Sequence, residues 1–252
     1  MRYSFKQAKY NNMKLDILAI GVHPDDVELS CSGTLLKHID LGYKVGILDL
    51  TKGELGTRGS AEIRLKESEA STKILGVHVR ENLGFADGFF TNDKDHQIEL
   101  MKMIRKYQPK IVLTNAIHDR HPDHGRSAQL TYDACFLAGL SKIETSLNGE
   151  QQKAYRPVAL YNYIQSMSIE PDFVVDITAW FDKKLEAVMA FKSQFHHKEA
   201  NQSEAQTFIS SPEFLEFVKA RALHFGIPIG VKYAEGFTVN RTLGVNDLTT
   251  LL

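Results

Sequence analysis

Four short, β-branched apolar runs dominate the first half of the chain: Leu15–Val22, Val45–Leu50, Val79–Leu83 and Ile111–Thr114. Each is followed by a stretch with helix signals: Leu29–Leu41 ended by Gly42, Glu62–Leu75 ended by Gly76, Gln97–Tyr107 closed before Pro109, and Ser127–Leu140. Runs of this kind read as buried strands, and alternation with helices forces parallel pairing with right-handed crossovers. The expected fold is therefore α/β and Rossmann-like, a mainly parallel sheet with helices on both faces. Thr51–Gly59 holds three glycines, too many for the interior of a helix or strand, and reads as a loop.

The second half is less regular. Ala159–Ile164, Phe173–Ile177 and Val231–Val239 read as strands. Phe181, Leu185, Val188 and Met189 share one helical face, and Pro212 suits the first turn of a helix over Glu213–Phe225. Residues 194–211 are polar and hold no apolar period, so a loop is expected there. Residues 1–12 read as an N-terminal tail and 13–252 as one domain, with Met13 just before the first strand.

Two of the predicted strands end in the same chemistry. His23-Pro24-Asp25-Asp26 follows the first, and His121-Pro122-Asp123-His124 follows the fourth. In open α/β sheets ligands bind outside the C-terminal strand ends. The first strand–helix turn reads Gly-Val-His-Pro-Asp-Asp rather than G-x-G-x-x-G, so the close backbone approach to a pyrophosphate is missing and a dinucleotide site is not expected. Imidazole nitrogen and carboxylate oxygen instead suit zinc, whose catalytic sites use three protein ligands and keep one position open. His23, Asp26 and His124 make such a set. Asp25 can then serve as general base, His121 as an imidazolium that stabilises an oxyanion and protonates a leaving amine, and Asp123 as the carboxylate that orients His121. The same ligand set suits Fe(II), which leaves open an iron oxygenase or a metal- or sugar-binding module without catalysis. A purely structural reading is a proline turn with an aspartate cap, and two clusters at like positions count against it.

Other candidates lie on neighbouring loops. Arg58 can clamp a carboxylate or sugar hydroxyls, Asp87 can bind hydroxyls or start a turn, and Arg120 can meet an anionic substrate or pair with Asp119. Glu28 reads as a support for the ligands or as a first-turn helix acid. The lone histidines 38, 78, 118 and 224 read as structural, and His196-His197 as a solvated surface.

Charge and composition exclude some functions. A net charge of −1 gives no basic footprint for nucleic acid or a membrane surface. No apolar run approaches the roughly 20 residues that span a bilayer, and the polar N-terminus has no signal-peptide core. Two cysteines without metal-type spacing fit a reducing cytoplasm.

Paired in this way, the two motifs make the chain resemble the LmbE-like (PIG-L) zinc-dependent deacetylases from about Met13 to Asn240. A narrower resemblance is to the bacillithiol-pathway deacetylases, which act on N-acetylglucosaminyl L-malate. It is carried by Thr57–Gly59, Leu83–Gly88, Asp119–His124, Ser193–Phe195 and Gly230–Phe237. The resemblance implies a Rossmann-like fold and zinc, or Fe(II) under reducing conditions, on His23, Asp26 and His124. It implies Asp25 as base, His121 with Asp123 as acid and orienting partner, and Arg58 and Asp87 as substrate contacts. The implied partner is a small sugar conjugate, with a chitooligosaccharide as the alternative, and relatives suggest a homo-oligomer, hexamers among them.

Overall fold

Strict two-residue alternation in the first strands decides the layering. In β1 (Ile17–Gly21), Leu18 and Ile20 point to one side of the sheet and Ile17 and Ala19 to the other. In β2 (Val45–Thr51), Leu48 and Leu50 join the first side and Val45 and Ile47 the second. Strands apolar on both faces must be covered on both. The computed structural model, which describes residues 13–195 and 205–251, shows how.

The first face is covered by α3 (Lys94–Tyr107) and α4 (Pro122–Ala138), which contribute Leu100, Met103, Ile104, Leu130 and Ala134. The second is covered by α1 (Asp26–Asp40), α2 (Ala61–Leu75) and α5 (Phe181–Met189), through Val27, Leu35, Leu75 and Ala187. The remaining elements are β3 (Val79–Phe85), β4 (Ile111–Thr114), a hairpin of β5 (Ser146–Leu147) and β6 (Glu150–Gln151), β7 (Ala159–Tyr163), β8 (Phe173–Asp176), α6 (Pro212–Gly226) and β9 (Ala234–Val239).

Among the described residues seven strands form one sheet in the order β3-β2-β1-β4-β7-β9-β8. The first five run parallel, and β9 is antiparallel to both neighbours. The chain leaves β1 toward β2 and β3, then returns to lay β4 on the other side of β1. The order reverses between β1 and β4, so the crevice at their C-terminal ends is where this topology opens a ligand site. Both His-Pro-Asp motifs begin there.

The expected α/β sheet with helices on both faces is thus the observed one. Several details differ, with α3 beginning at Lys94 rather than Gln97 and β9 at Ala234 rather than Val231. α4 begins at Pro122, not Ser127, because proline suits the first turn and Asp123 satisfies the helix dipole before any apolar period starts. α1 begins at Asp26 rather than Leu29 for the related reason that Asp26 and Glu28 occupy its acidic first turn. The β5–β6 hairpin was not expected; its Asn148-Gly149 turn, with φ of 54° and 84°, is the local signal for it. Residues 1–12 and His196-His197 lie outside the described residues.

Candidate metal and acid–base centre

β1 and β4 aim their ends at one crevice, and the helices that follow bring the motif residues back over it. Asp26 is the first residue of α1, while His121 caps α4, its Nδ1 accepting the Asp123 N–H at 3.3 Å. His124 lies in the first turn of α4. His23, Asp26 and His124 each offer a ligand atom, all within 4.8 Å of one another. His124 Nε2 is 3.2 Å from Asp26 Oδ1, and His23 Nδ1 is 3.6 Å from Asp26 Oδ2.

The surroundings fix these groups. Asp26 accepts from Asn115 Nδ2 at 2.9 Å and from Gln165 Nε2 at 3.1 Å. Asn115 and Gln165 follow β4 and β7 and are bonded to each other at 3.1 Å, so the carboxylate is held by the sheet edge itself. His124 Nδ1 meets Asp119 at 2.5 Å, and Asp119 in turn accepts the N–H groups of Ser166 and Met167. A carboxylate on the far ring nitrogen is the usual way an imidazole is aimed at a metal.

A second triad, His23, His121 and Asp123, also has its donor atoms within 4.8 Å. It is the poorer cage. The Asp123 carboxylate is taken by Gly88 N–H at 2.9 Å and by Arg126 at 2.6 Å. The His121 Nδ1 accepts from backbone and so is not turned by a carboxylate. Its ring lies 4.7 Å from that of His23 and stacks at 5.3 Å on that of His124.

Burial disfavours charge at every group here, and neighbours decide the outcome. At His124 burial is outweighed by Asp26 and Asp119, which hold the imidazole up at about 9. At His23 burial is outweighed by Asp123, Asp26 and Asp87, which hold it well above the ordinary value. Asp26 is driven well below the usual carboxylate range, because His124 and His23 outweigh its burial. The centre is thus rich in carboxylate and compensates with protons on imidazole. A divalent cation supplies the same positive charge, and the donor set fits one.

Asp25 behaves differently. It is buried, makes no capping bond to α1, and sits at φ 156° and ψ −20°, a strained backbone for a non-glycine residue. Burial pushes its carboxyl up to about 7, opposed by the nearby charge of Arg64.

The structure places the other expected residues as follows. Burial and the neighbouring charges of His23 and His124 lower the His121 pKa against the charge of Asp123, whose carboxylate also accepts from Gly88 N–H and Arg126. Asp119 pairs with His124 rather than with Arg120, which is exposed and stands 4.8 Å over the Phe208 ring. Asp87 contacts the centre directly, its Oδ1 3.1 Å from His23 Nε2. Glu28 lies in a buried network with Arg80, Asp49 and Ser71, away from any ligand role. Arg58 is buried on the glycine-rich loop, its carbonyl accepting from Gln194 at 2.8 Å. Sequence reasoning missed Asn115, Gln165 and the part played by Asp119. The first two were findable only as amides placed directly after strands at the switch-point edge.

The chain is similar to known proteins over most of its length. Residues 18–135 match the family described as GlcNAc-PI de-N-acetylase, PIG-L. A diacetylchitobiose deacetylase of Thermococcus kodakarensis is 31% identical over 239 residues, covering 90% of this chain and 83% of that protein. A probable N-acetyl-alpha-D-glucosaminyl L-malate deacetylase 2 of Bacillus anthracis is 26% identical over 195 residues, covering 72% and 82%. The crystal structure of a conserved protein from Thermus thermophilus superposes with a TM-score of 0.80 at 37% identity, covering 92% of this chain and 98% of that one.

Proposed function

The chain belongs to the PIG-L (LmbE-like) de-N-acetylase family, and from that premise we propose that it hydrolyses the N-acetyl group of an N-acetylglucosaminyl conjugate, with zinc on His23, Asp26 and His124. The observation that carries the reading is a three-donor cage with a buried carboxyl of raised pKa, Asp25, on the adjoining residue. A bound divalent ion would supply Lewis acidity to the acetyl carbonyl and make water easier to deprotonate.

The chain's own groups do the rest. Asp25 accepts the proton of the attacking water; a pKa near 7 matches that task at neutral pH. His121 stays neutral. Its Nδ1 accepts a backbone N–H, so its proton sits on Nε2, from which it donates to the developing oxyanion. As the C–N bond breaks, Asp25 passes its proton to the leaving amine, and acetate departs. Asp119 keeps His124 oriented throughout, and Asp87 does the same for His23.

The finer proposal is that the conjugate is N-acetylglucosaminyl L-malate. Its two carboxylates need cations, and Arg58 and Arg120 lie on the loops around the site. Diacetylchitobiose is the competing substrate, supported by the relative with the higher identity. Two buried free cysteines fit a reducing cytoplasm, where we place the protein. Among the described residues no helix is long and apolar enough to cross a membrane. The test is acetate release from the two saccharides by zinc-loaded and chelated protein. Zinc-dependent release supports the deacetylase reading, preference for the malate conjugate supports the finer one, and no release from any N-acetylglucosaminyl compound refutes both.

A further inference from the structure

The glycine-rich loop over residues 51–59 closes around side chains that the proposed chemistry does not use. A Cβ at Gly53, where φ is 64°, would overlap Arg64 Nη1, and one at Gly56 would lie 2.8 Å from Nη2. A Cβ at Gly59, where φ is 75°, would lie 2.7 Å from Ser193 Oγ. The loop lacks side chains at the three points where it meets Arg64 and Ser193.

These partners form one buried network. Arg64, on α2, donates to Gln194 Oε1. Gln194 Nε2 donates to the Arg58 carbonyl and to Ser193 Oγ, both at 2.8 Å. Three residues along α2, Glu67 accepts the Ser193 N–H at 2.6 Å and its Oγ at 2.8 Å. So α2 grips residues 193–194 twice, and Gln194 passes that grip to the backbone of Arg58. Gln194 is 3% exposed and Arg64 6%, which keeps water from competing for these bonds. The Arg64 charge also acts on Asp25 and Asp87, so the network borders the centre.

We propose that Gln194, held by Arg64, is a positioning residue for substrate: it fixes the Arg58 backbone and with it the glycine-rich wall of the site. The inference rests on the deacetylase reading above. A loop with this many glycines samples many conformations when nothing ties it down. If only a fraction of molecules holds the wall in place, apparent affinity falls by that fraction. The metal ligands, Asp25 and His121 are untouched by Gln194, so a bound substrate reacts as before wherever the Arg64 charge beside Asp25 is left as it is. The expected signature is therefore a change in KM rather than in kcat.

Two variants test this in the metal-loaded protein. Gln194→Met keeps length and packing but removes donor and acceptor. Gln194→Glu keeps an acceptor for Arg64 and removes the donor to Arg58. Hydrogen exchange is read over residues 51–59, and steady-state kinetics on the acetylated saccharide. Both variants should exchange faster in 51–59, with α1 and α4 unchanged, and in Gln194→Met, which leaves the Arg64 charge in place, KM should rise about tenfold at constant kcat, as for one lost buried hydrogen bond. Unchanged exchange in 51–59 overturns the proposal, as does a fall in kcat at constant KM in Gln194→Met. Faster exchange through the whole chain with a lowered Tm marks a merely structural role and overturns it as well. The exchange measurement needs no turnover. A wild-type protein inert on every N-acetylglucosaminyl compound would therefore refute the deacetylase reading, while the exchange data still decide the network.

Discussion

Asp25 and Asp26 are neighbours in the chain with opposite electrostatics. Asp26 faces two imidazoles and two side-chain amides, and these stabilise its charge. Asp25 is buried with Arg64 as its main opposing charge, and burial wins. Adjacent carboxyls pushed apart in this way divide into ligand and proton carrier. We expect Asp25→Asn to retain zinc and lose about 10²–10⁴-fold in kcat, checked by metal analysis beside turnover. The same substitution should stabilise the chelated protein. A carboxyl whose folded pKa lies above its unfolded value costs stability as pH rises from about 4 to about 7. The gain from asparagine should thus be absent near pH 4 and reach on the order of 1–3 kcal/mol above pH 7, read from denaturant melts. Asp119→Ala should behave in the other manner, weakening zinc affinity about 10–100-fold by freeing the His124 ring, as a competition titration would show.

At the scale of elements, α1 carries the centre and is itself anchored from behind. The N–H groups of Gly33 and Thr34, inside the helix, donate to the Glu235 carboxylate at 3.0 and 2.7 Å. Lys184 bridges Glu235 at 2.6 Å and the Leu29 carbonyl at 3.0 Å. Gly33 has no Cβ because one would lie 2.8 Å from the Ile177 side chain. Thus β9, α5 and the turn after β8 all clamp α1 two turns from Asp26. Removing Glu235 leaves a buried ammonium without its counter-charge, so Glu235→Ala should cost about 3–5 kcal/mol in chemical denaturation. A cost within experimental error would mean that Lys184 finds other partners. Little of this clamp was legible in the sequence. The strands were readable because residues such as Leu18, Ile20, Leu48 and Leu50 must alternate to bury both faces. The motif residues were readable because imidazole and carboxylate at two strand ends have few other uses. Glu235, Lys184, Asn115 and Gln165 give no such signal: each acts on a partner 50 to 202 residues away, which local pattern does not encode.

For the whole molecule, the sheet order explains why one cation should matter to stability as well as to turnover. The switch between β1 and β4 gathers Asp26, Asp87, Asp119 and Asp123 at one edge, with His23 and His124 as the balancing charges. Without a metal that balance needs protonated imidazoles. Both have folded pKa values above the ordinary 6.5, His124 at about 9. Their contribution is therefore full below pH 6.5, and the His124 part is lost as pH rises through about 9. The buried Asp25 carboxyl loses stability over the lower part of the same rise. Metal binding has the opposite dependence, since the imidazoles must be neutral to ligate and each proton lost strengthens the site. A ligand at a hundred times its Kd adds about 2.7 kcal/mol to the folded state. The Tm difference between zinc-loaded and chelated protein should therefore widen steadily from about pH 6.5 to about 9, mainly because the chelated form weakens. Calorimetry at constant ionic strength across that range checks it. A difference that stays flat or narrows with pH would mean that His23 and His124 do not hold the cation.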